Sequence, residues 1–185
     1  MSHWFTRSQI WQRYKVGVLL SDFADKAKTL LEAGCFVYFV REYCIEFSVC
    51  MGPSMLPTFN TRGDVLLLEH ITTTWGNVRV GDVVLARSMQ NPKQIVCKRV
   101  LGLEGDEVRV APSTQLGEGR IVKVPPGHVW LQGDNTLNST DSRHYGPVPY
   151  ALIKGRAFLK VWPLHEAGLI RSYVPEPFGY SSNRR

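Results

Sequence analysis

The chain has 185 residues, 44% hydrophobic and 21% charged, with 22 Lys+Arg against 16 Asp+Glu, a net charge of +6 and four cysteines. These fractions belong to an ordinary folded protein with one main domain. They exclude a disordered chain, a collagen-like repeat, a disulfide-stapled mini-scaffold and a multi-pass membrane protein. The positive charge is spread out: apart from Lys98-Arg99 and Arg184-Arg185 there is no basic run, so a solvated basic surface is expected and no nucleic-acid partner.

Residues 1–21 contain no Asp or Glu, and Arg7, Arg13 and Lys15 stand among Trp4, Phe5, Ile10, Trp11, Tyr14 and Val18. An acid-free basic and apolar mixture suits an import signal or a helix at an anionic membrane surface. No secretory signal peptide is predicted, since no apolar core with a small-residue cleavage site follows the charges. Ser21-Asp22 is expected to cap a helix that carries Phe23, Ala27, Leu30 and Gly34 on one face. Residues 33–40 are wholly apolar, but Glu32 and Arg41-Glu42 bound them, and a spanning helix needs about 20 apolar residues. A marginal anchor and a helix packed on a partner both remain open.

At Tyr43 the period changes. Tyr43, Ile45, Phe47, Val49 and Met51 alternate with Cys44, Glu46, Ser48 and Cys50, which predicts a strand running into Gly52-Pro53-Ser54. Further strands are predicted over 65–69, 83–86, 95–101, 107–110, 121–124, 128–132 and 157–162, with turns at Gly63-Asp64, Gly81-Asp82 and Gly105-Asp106. Many short strands without a long helix between them indicate a barrel or sandwich. Arg62-Gly63-Asp64 is explained by its turn and needs no adhesion partner.

The chain holds no GxxxxGK[ST], GxGxxG or HExxH, and Cys35, Cys44, Cys50 and Cys97 form no CxxC, so neither cofactor nor metal is expected and the cysteines read as small half-buried thiols. Three places stand out. Ser54 leaves a strand between Pro53 and Pro57, which fix the backbone around it as a nucleophile requires, although such a loop is also a plain stiff turn. Lys98 shares a strand face with Val96 and Val100; burial there would lower its pKa and make it a general base, while an edge position would let it snorkel to water. The third is the polar loop from Gly133 to Arg143, which Asp141 with Arg143, or Asp134 with Arg99, would hold in place. Its Asn138-Ser139-Thr140 is a glycosylation sequon, and a glycan beside a catalytic loop disfavours the secretory pathway.

In this order, the stretches Gly52-Pro53-Ser54-Met55-Leu56-Pro57-Thr58, Cys97-Lys98-Arg99-Val100-Leu101-Gly102, Gly127-His128-Val129-Trp130-Leu131, Asn138-Ser139-Thr140-Asp141-Ser142-Arg143 and Lys160-Val161-Trp162-Pro163-Leu164 resemble the type I signal peptidase family of Ser/Lys proteases, and its mitochondrial members in particular. The resemblance implies a mainly β fold: a curled β-barrel-like catalytic core over 49–170, after a targeting and membrane-attachment segment with a helix over 1–48 and before a tail over 171–185. It implies Ser54 as nucleophile and Lys98 as general base, with Ser139 hydrogen-bonded to Lys98 and Gly133, Asp134, Asp141 and Arg143 bracing the loop. Implied substrates are precursor polypeptides carrying a sorting peptide, cut at the mitochondrial inner membrane on the intermembrane-space side. A second signal peptidase-like subunit is the implied heterodimer partner. A chloroplast or bacterial signal peptidase and a non-catalytic scaffold subunit are the alternatives. One departure is Gly52, where many bacterial relatives place a hydroxyl that helps hold the oxyanion.

Overall fold

The computed structural model describes residues 7–40, 44–110, 119–174 and 180–181. The chain divides into two compact units, Met1–Glu42 and Tyr43–Arg185.

In the first unit, α1 runs unbroken over Arg7–Phe39. The cap expected at Ser21-Asp22 is not formed: Ser21 Oγ donates back to the Val18 carbonyl at 2.8 Å, as serine does inside a helix, and no proline interrupts the run. No helix among the described residues is long and apolar enough to cross a membrane. The expectations for residues 1–6, for Tyr43 and for Arg184-Arg185 lie outside the described residues.

The second unit is mainly β. In chain order its strands are β1 (Ile45–Cys50), β2 (Asp64–Glu69), β3 (Val83–Arg87), β4 (Ile95–Gly102), β5 (Glu107–Val110), β6 (Arg120–Lys123), β7 (His128–Gln132), β8 (Val148–Pro149), β9 (Ile153–Trp162), β10 (Gly168–Leu169) and β11 (Tyr180–Ser181), with one-turn helices α2 (Ile71–Thr74) and α3 (Ser142–Tyr145). The main sheet has the order β1-β2-β9-β3-β4-β7-β8, with β10 against β9, and its neighbours pair antiparallel. A smaller sheet has the order β11-β5-β6.

The sheet curls because its central strands are apolar on both faces. In β3, Val83 and Leu85 enter a core with Met55, Phe59, Leu66 and Leu68, while Val84 and Ala86 enter another with Val100, Val129 and Leu131. Side chains alternate along a strand, so one apolar run feeds two cores and the sheet wraps to cover both. Leu101 and Trp130 join Val108, Val110 and Val124 in a third core against the smaller sheet. Each Gly-Asp turn has one construction: the glycine takes a positive φ, and the buried Asp carboxylate accepts from the backbone N–H of Asn60 (3.0 Å), Arg79 (2.8 Å) or Leu103 (2.8 Å).

Candidate active site

Ser54 sits in a single 3-10 turn, Pro53–Met55, directly after β1. Gly52 enters it at φ 110, a conformation that side chains rarely adopt, and Met55 and Phe59 anchor the turn in the core. The polar loop clips the turn from its other side: Asn135 donates its backbone N–H to the Ser54 carbonyl and its Nδ2 to the Pro53 carbonyl, both at 3.0 Å. A cleft of about 340 Å³ opens here, lined by Ser54 and Lys98 together with Cys50, Cys97, Thr140 and Tyr145 among others, and by no histidine.

Lys98 lies in the middle of β4, opposite Val84 of β3, and is only 4% exposed. Burial pushes its pKa below the ordinary lysine value; the charge of Asp141 pulls the other way and Arg143 adds to the lowering. Lys98 has no ion-pair partner within salt-bridge distance among the described residues. A buried ammonium without a counter-ion is costly, and that cost is the cause of the lowering. Tyr145, on the same cleft, has its pKa pushed up to about 12 by burial and by Asp141, which keeps its hydroxyl protonated and removes it as a rival base.

The two ion pairs weighed as alternatives both form. Arg99 grips Asp134 with two bonds, Nε to Oδ1 at 2.8 Å and Nη2 to Oδ2 at 2.6 Å, both side chains buried. Thr58 Oγ1 donates to the same carboxylate at 2.5 Å, tying the Ser54 turn to the polar loop. Arg143 forks onto Asp141 at 2.8 and 2.9 Å and also donates to the Thr136 and Ser139 carbonyls. The Asp141 carboxylate accepts the Gly133 N–H at 3.0 Å and caps α3. Burial alone would raise the Asp141 carboxyl, but the Arg143 and Gly133 donors outweigh it and hold it below the usual carboxylate range.

Gly133 fits where a side chain does not: a Cβ there would lie 2.5 Å from the Ser54 carbonyl oxygen and 2.7 Å from Ser139 Cβ. The Ser139 to Lys98 hydrogen bond that the resemblance implies is not made. Ser139 Oγ is buried without a partner of hydrogen-bond geometry, although it lies near enough to the Asp141 carboxylate to help hold its pKa down.

Sequence reasoning did not find the roles of Thr58 and Asn135, nor that of Tyr173. The Tyr173 ring lies 4.4 Å from the Arg99 guanidinium carbon, Arg99 Nη1 donates to the Gly81 and Arg171 carbonyls at 2.8 and 3.2 Å, and Ser172 Oγ donates to Asp82. A segment expected to be a tail thus closes over the residue next to Lys98. The sequence hint is the Tyr173-Val174 pair directly after Arg171-Ser172.

The profile of the signal peptidase, peptidase S26, family matches residues 23–118 and 111–162. The mitochondrial ATP-independent inner membrane protease subunit 1a of Arabidopsis thaliana is 50% identical over 138 residues, which cover 74% of this chain and 82% of that protein. The mitochondrial inner membrane protease subunit 1 of Homo sapiens is 43% identical over 142 residues (77% and 84%), and subunit 2 of Schizosaccharomyces pombe is 36% identical over 134 residues (71% and 73%). Among solved structures, a signal peptidase I from Enterococcus faecalis V583 aligns with a TM-score of 0.37 at 23% identity, covering 43% of this chain and 95% of that one.

Proposed function

The chain belongs to the signal peptidase, peptidase S26, family, and we propose that it is a serine endopeptidase in which Ser54 attacks and Lys98 is the base. Its substrates are precursor polypeptides, whose sorting peptides it removes at the mitochondrial inner membrane on the intermembrane-space side. It works as one of two related subunits, with residues 1–48 attaching the catalytic core to the membrane. The relatives named as inner membrane protease subunits 1 and 2 support that setting.

One observation carries the reading: Ser54 and Lys98 line the same cleft, and Lys98 is buried there without a counter-ion. Neutral Lys98 takes the proton from Ser54 Oγ as the oxygen attacks the scissile carbonyl, then delivers it to the leaving amine. A second cycle with water releases the acyl group. Gly52 offers no hydroxyl to the oxyanion, so that charge rests on backbone N–H groups of the nucleophile turn, Ser54 N–H first. Ser139 Oγ, buried without a partner, is the group that receives the Lys98 ammonium during the cycle. Asp141, paired to Arg143, lends that transient cation a nearby negative charge.

The test is precursor cleavage by Ser54→Ala and Lys98→Ala in the full chain with its partner subunit. Both variants lose cleavage while circular dichroism stays unchanged. Wild-type activity rises with pH through an apparent pKa below the lysine reference of about 10.4. Full activity of Lys98→Ala at neutral pH, or a profile set by a group near 6.5, refutes the dyad.

A further inference from the structure

Cys50 and Cys97 are 47 positions apart in sequence and sit on β1 and β4, strands that β2, β9 and β3 separate in the sheet order. The curl of the sheet nevertheless brings them together. Cys50, 7% exposed, belongs to the core of Met55, Phe59, Leu66 and Leu68, and Cys97 packs against that same core. Both also line the cleft that holds Ser54 and Lys98. They flank the catalytic pair in sequence as well, since Cys97 directly precedes Lys98 and Cys50 lies just ahead of the Gly52-Pro53-Ser54 turn.

Neither thiol is in a disulfide, and neither has a place in the peptidase chemistry above. The two thiols lie on one core and interact, and that interaction lowers the Cys50 pKa and raises that of Cys97 well above the ordinary value, while burial opposes both thiolates. Two thiols packed on one core in one cleft supply both parts of thiol–disulfide exchange, an attacking thiol and a resolving thiol.

We propose that Cys50 and Cys97 are a reversible modification site in the wall of the catalytic cleft, oxidised by a low-molecular-weight peptide disulfide such as glutathione disulfide, and that the resulting cross-link shuts the cleft to substrate. The proposal rests on the cleft being the peptidase site. A cleft shaped for an extended polypeptide admits the tripeptide arms of glutathione, which brings the oxidant to the thiols by the substrate's route. Cys50 thiolate attacks one sulfur of glutathione disulfide, forming a mixed disulfide and expelling one glutathione thiolate, which takes up a proton. Cys97 then loses its proton and displaces the second glutathione from the Cys50 sulfur. Two cysteine thiols are oxidised, one glutathione disulfide is reduced, and two glutathione thiols leave. A covalent bond replaces a non-bonded contact and draws β1 toward β4 between nucleophile and base. There an error of about 1 Å is enough to cost on the order of 100-fold in rate.

The experiment uses the complete protease complex in its membrane, equilibrated in glutathione buffers from fully reduced to fully oxidised. It is then quenched in acid, alkylated and digested for mass spectrometry, and cleavage of a cysteine-free precursor peptide is followed in parallel. A peptide linked through Cys50 and Cys97 accumulates toward the oxidised end, cleavage falls with it by about 100-fold, and dithiothreitol restores both. Cys50→Ser and Cys97→Ser, each compared with its own reduced rate, lose the response to the buffer, and Cys35→Ser keeps it. Thiols that still alkylate fully at the oxidised end overturn the proposal. So does a Cys50–Cys97 link that forms while cleavage is unchanged. Ser54→Ala in the reduced complex separates the two readings: cleavage that survives it removes the peptidase assignment, while the alkylation pattern of the wild type still decides the dithiol.

Discussion

Gly133→Ala measures how closely the polar loop is fitted beneath Ser54. The backbone at Gly133 is not in the left-handed region, so any residue has access to its φ and the requirement is one of space. The new methyl would stand 2.5 Å from the Ser54 carbonyl oxygen and 2.7 Å from Ser139 Cβ, against a floor of 3.0 Å for real Cβ contacts. Ser54 O is main chain, held by the Asn135 N–H, and does not rotate away. The loop must therefore lift by about half an ångström or more, at the limit of what a catalytic constellation tolerates. Overpacking of this kind costs about 1–3 kcal/mol of stability, and the displacement of Ser54 costs on the order of 10- to 100-fold in kcat. The assay is kcat for a precursor peptide beside thermal unfolding of the full chain. A Gly133→Ala variant within about threefold of wild type, with unchanged Tm, would show that the loop does not position Ser54.

Lys98→Met removes the proposed base together with a buried amine whose protonated form the fold disfavours, so the variant is expected to be inactive yet more stable wherever that amine is protonated. The sign follows from linkage. The Lys98 pKa is lowered in the fold, so the unfolded chain binds more protons, and wild-type stability rises with pH until the unfolded value near 10.4. The advantage of Lys98→Met is greatest below the folded pKa and fades across that window in pH-dependent unfolding curves. Arg99→Ala or Asp134→Asn leaves one charge of a buried pair uncompensated and costs about 3–5 kcal/mol, read by denaturant unfolding. Asp141 raises the Lys98 pKa and Arg143 lowers it, so Asp141→Asn shifts the acidic limb of the kcat profile to lower pH and Arg143→Leu shifts it to higher pH. Tyr173→Ala strips the ring from Arg99 and lowers Tm, and retention of wild-type Tm would deny the 171–174 segment any hold on the site.

Period-two alternation made the strands legible, since it reports backbone geometry without tertiary information. It did not tell which face is buried. The apolar alternates Phe47 and Val49 of β1, and Met51 just after it, are exposed, and the opposite phase turns inward at Cys50. β8, β10 and β11 are two residues each, too short for a period. Predicted 157–162 is the second half of β9; the first half, Ile153-Lys154-Gly155-Arg156, alternates in burial, but Gly155 in its middle weakens the strand signal. At the site, Ser54 and Lys98 were legible because each is a polar residue where its local pattern calls for something else. Asn135 and Thr58 were not, because polar residues in polar loops carry no such contrast. Cys50 and Cys97 read only as small half-buried thiols, since their packing on one core is a property of the curl and not of either strand.

The buried charges around the cleft have one logic. Arg99 is matched by Asp134, Arg143 by Asp141, and Lys160 by Asp64 and Glu166, while Asp82 and Asp106 accept backbone N–H groups at their turns. A buried charge with a full set of partners stays charged and holds its elements in place. Lys98 alone among these cations lacks a partner, and the Asp141 carboxylate that would be its counter-ion is already occupied by Arg143 and the Gly133 N–H. Arg143 thus does two things at once: it fixes the polar loop, and by engaging Asp141 it keeps that carboxylate from pairing with Lys98. If this is how the amine is kept neutral, Arg143→Lys, which retains the cation but loses the two-pronged grip, frees one carboxylate oxygen for Lys98. The acidic limb of the activity profile then rises in pH even though no charge has been removed, and an unmoved limb would leave burial alone as the cause.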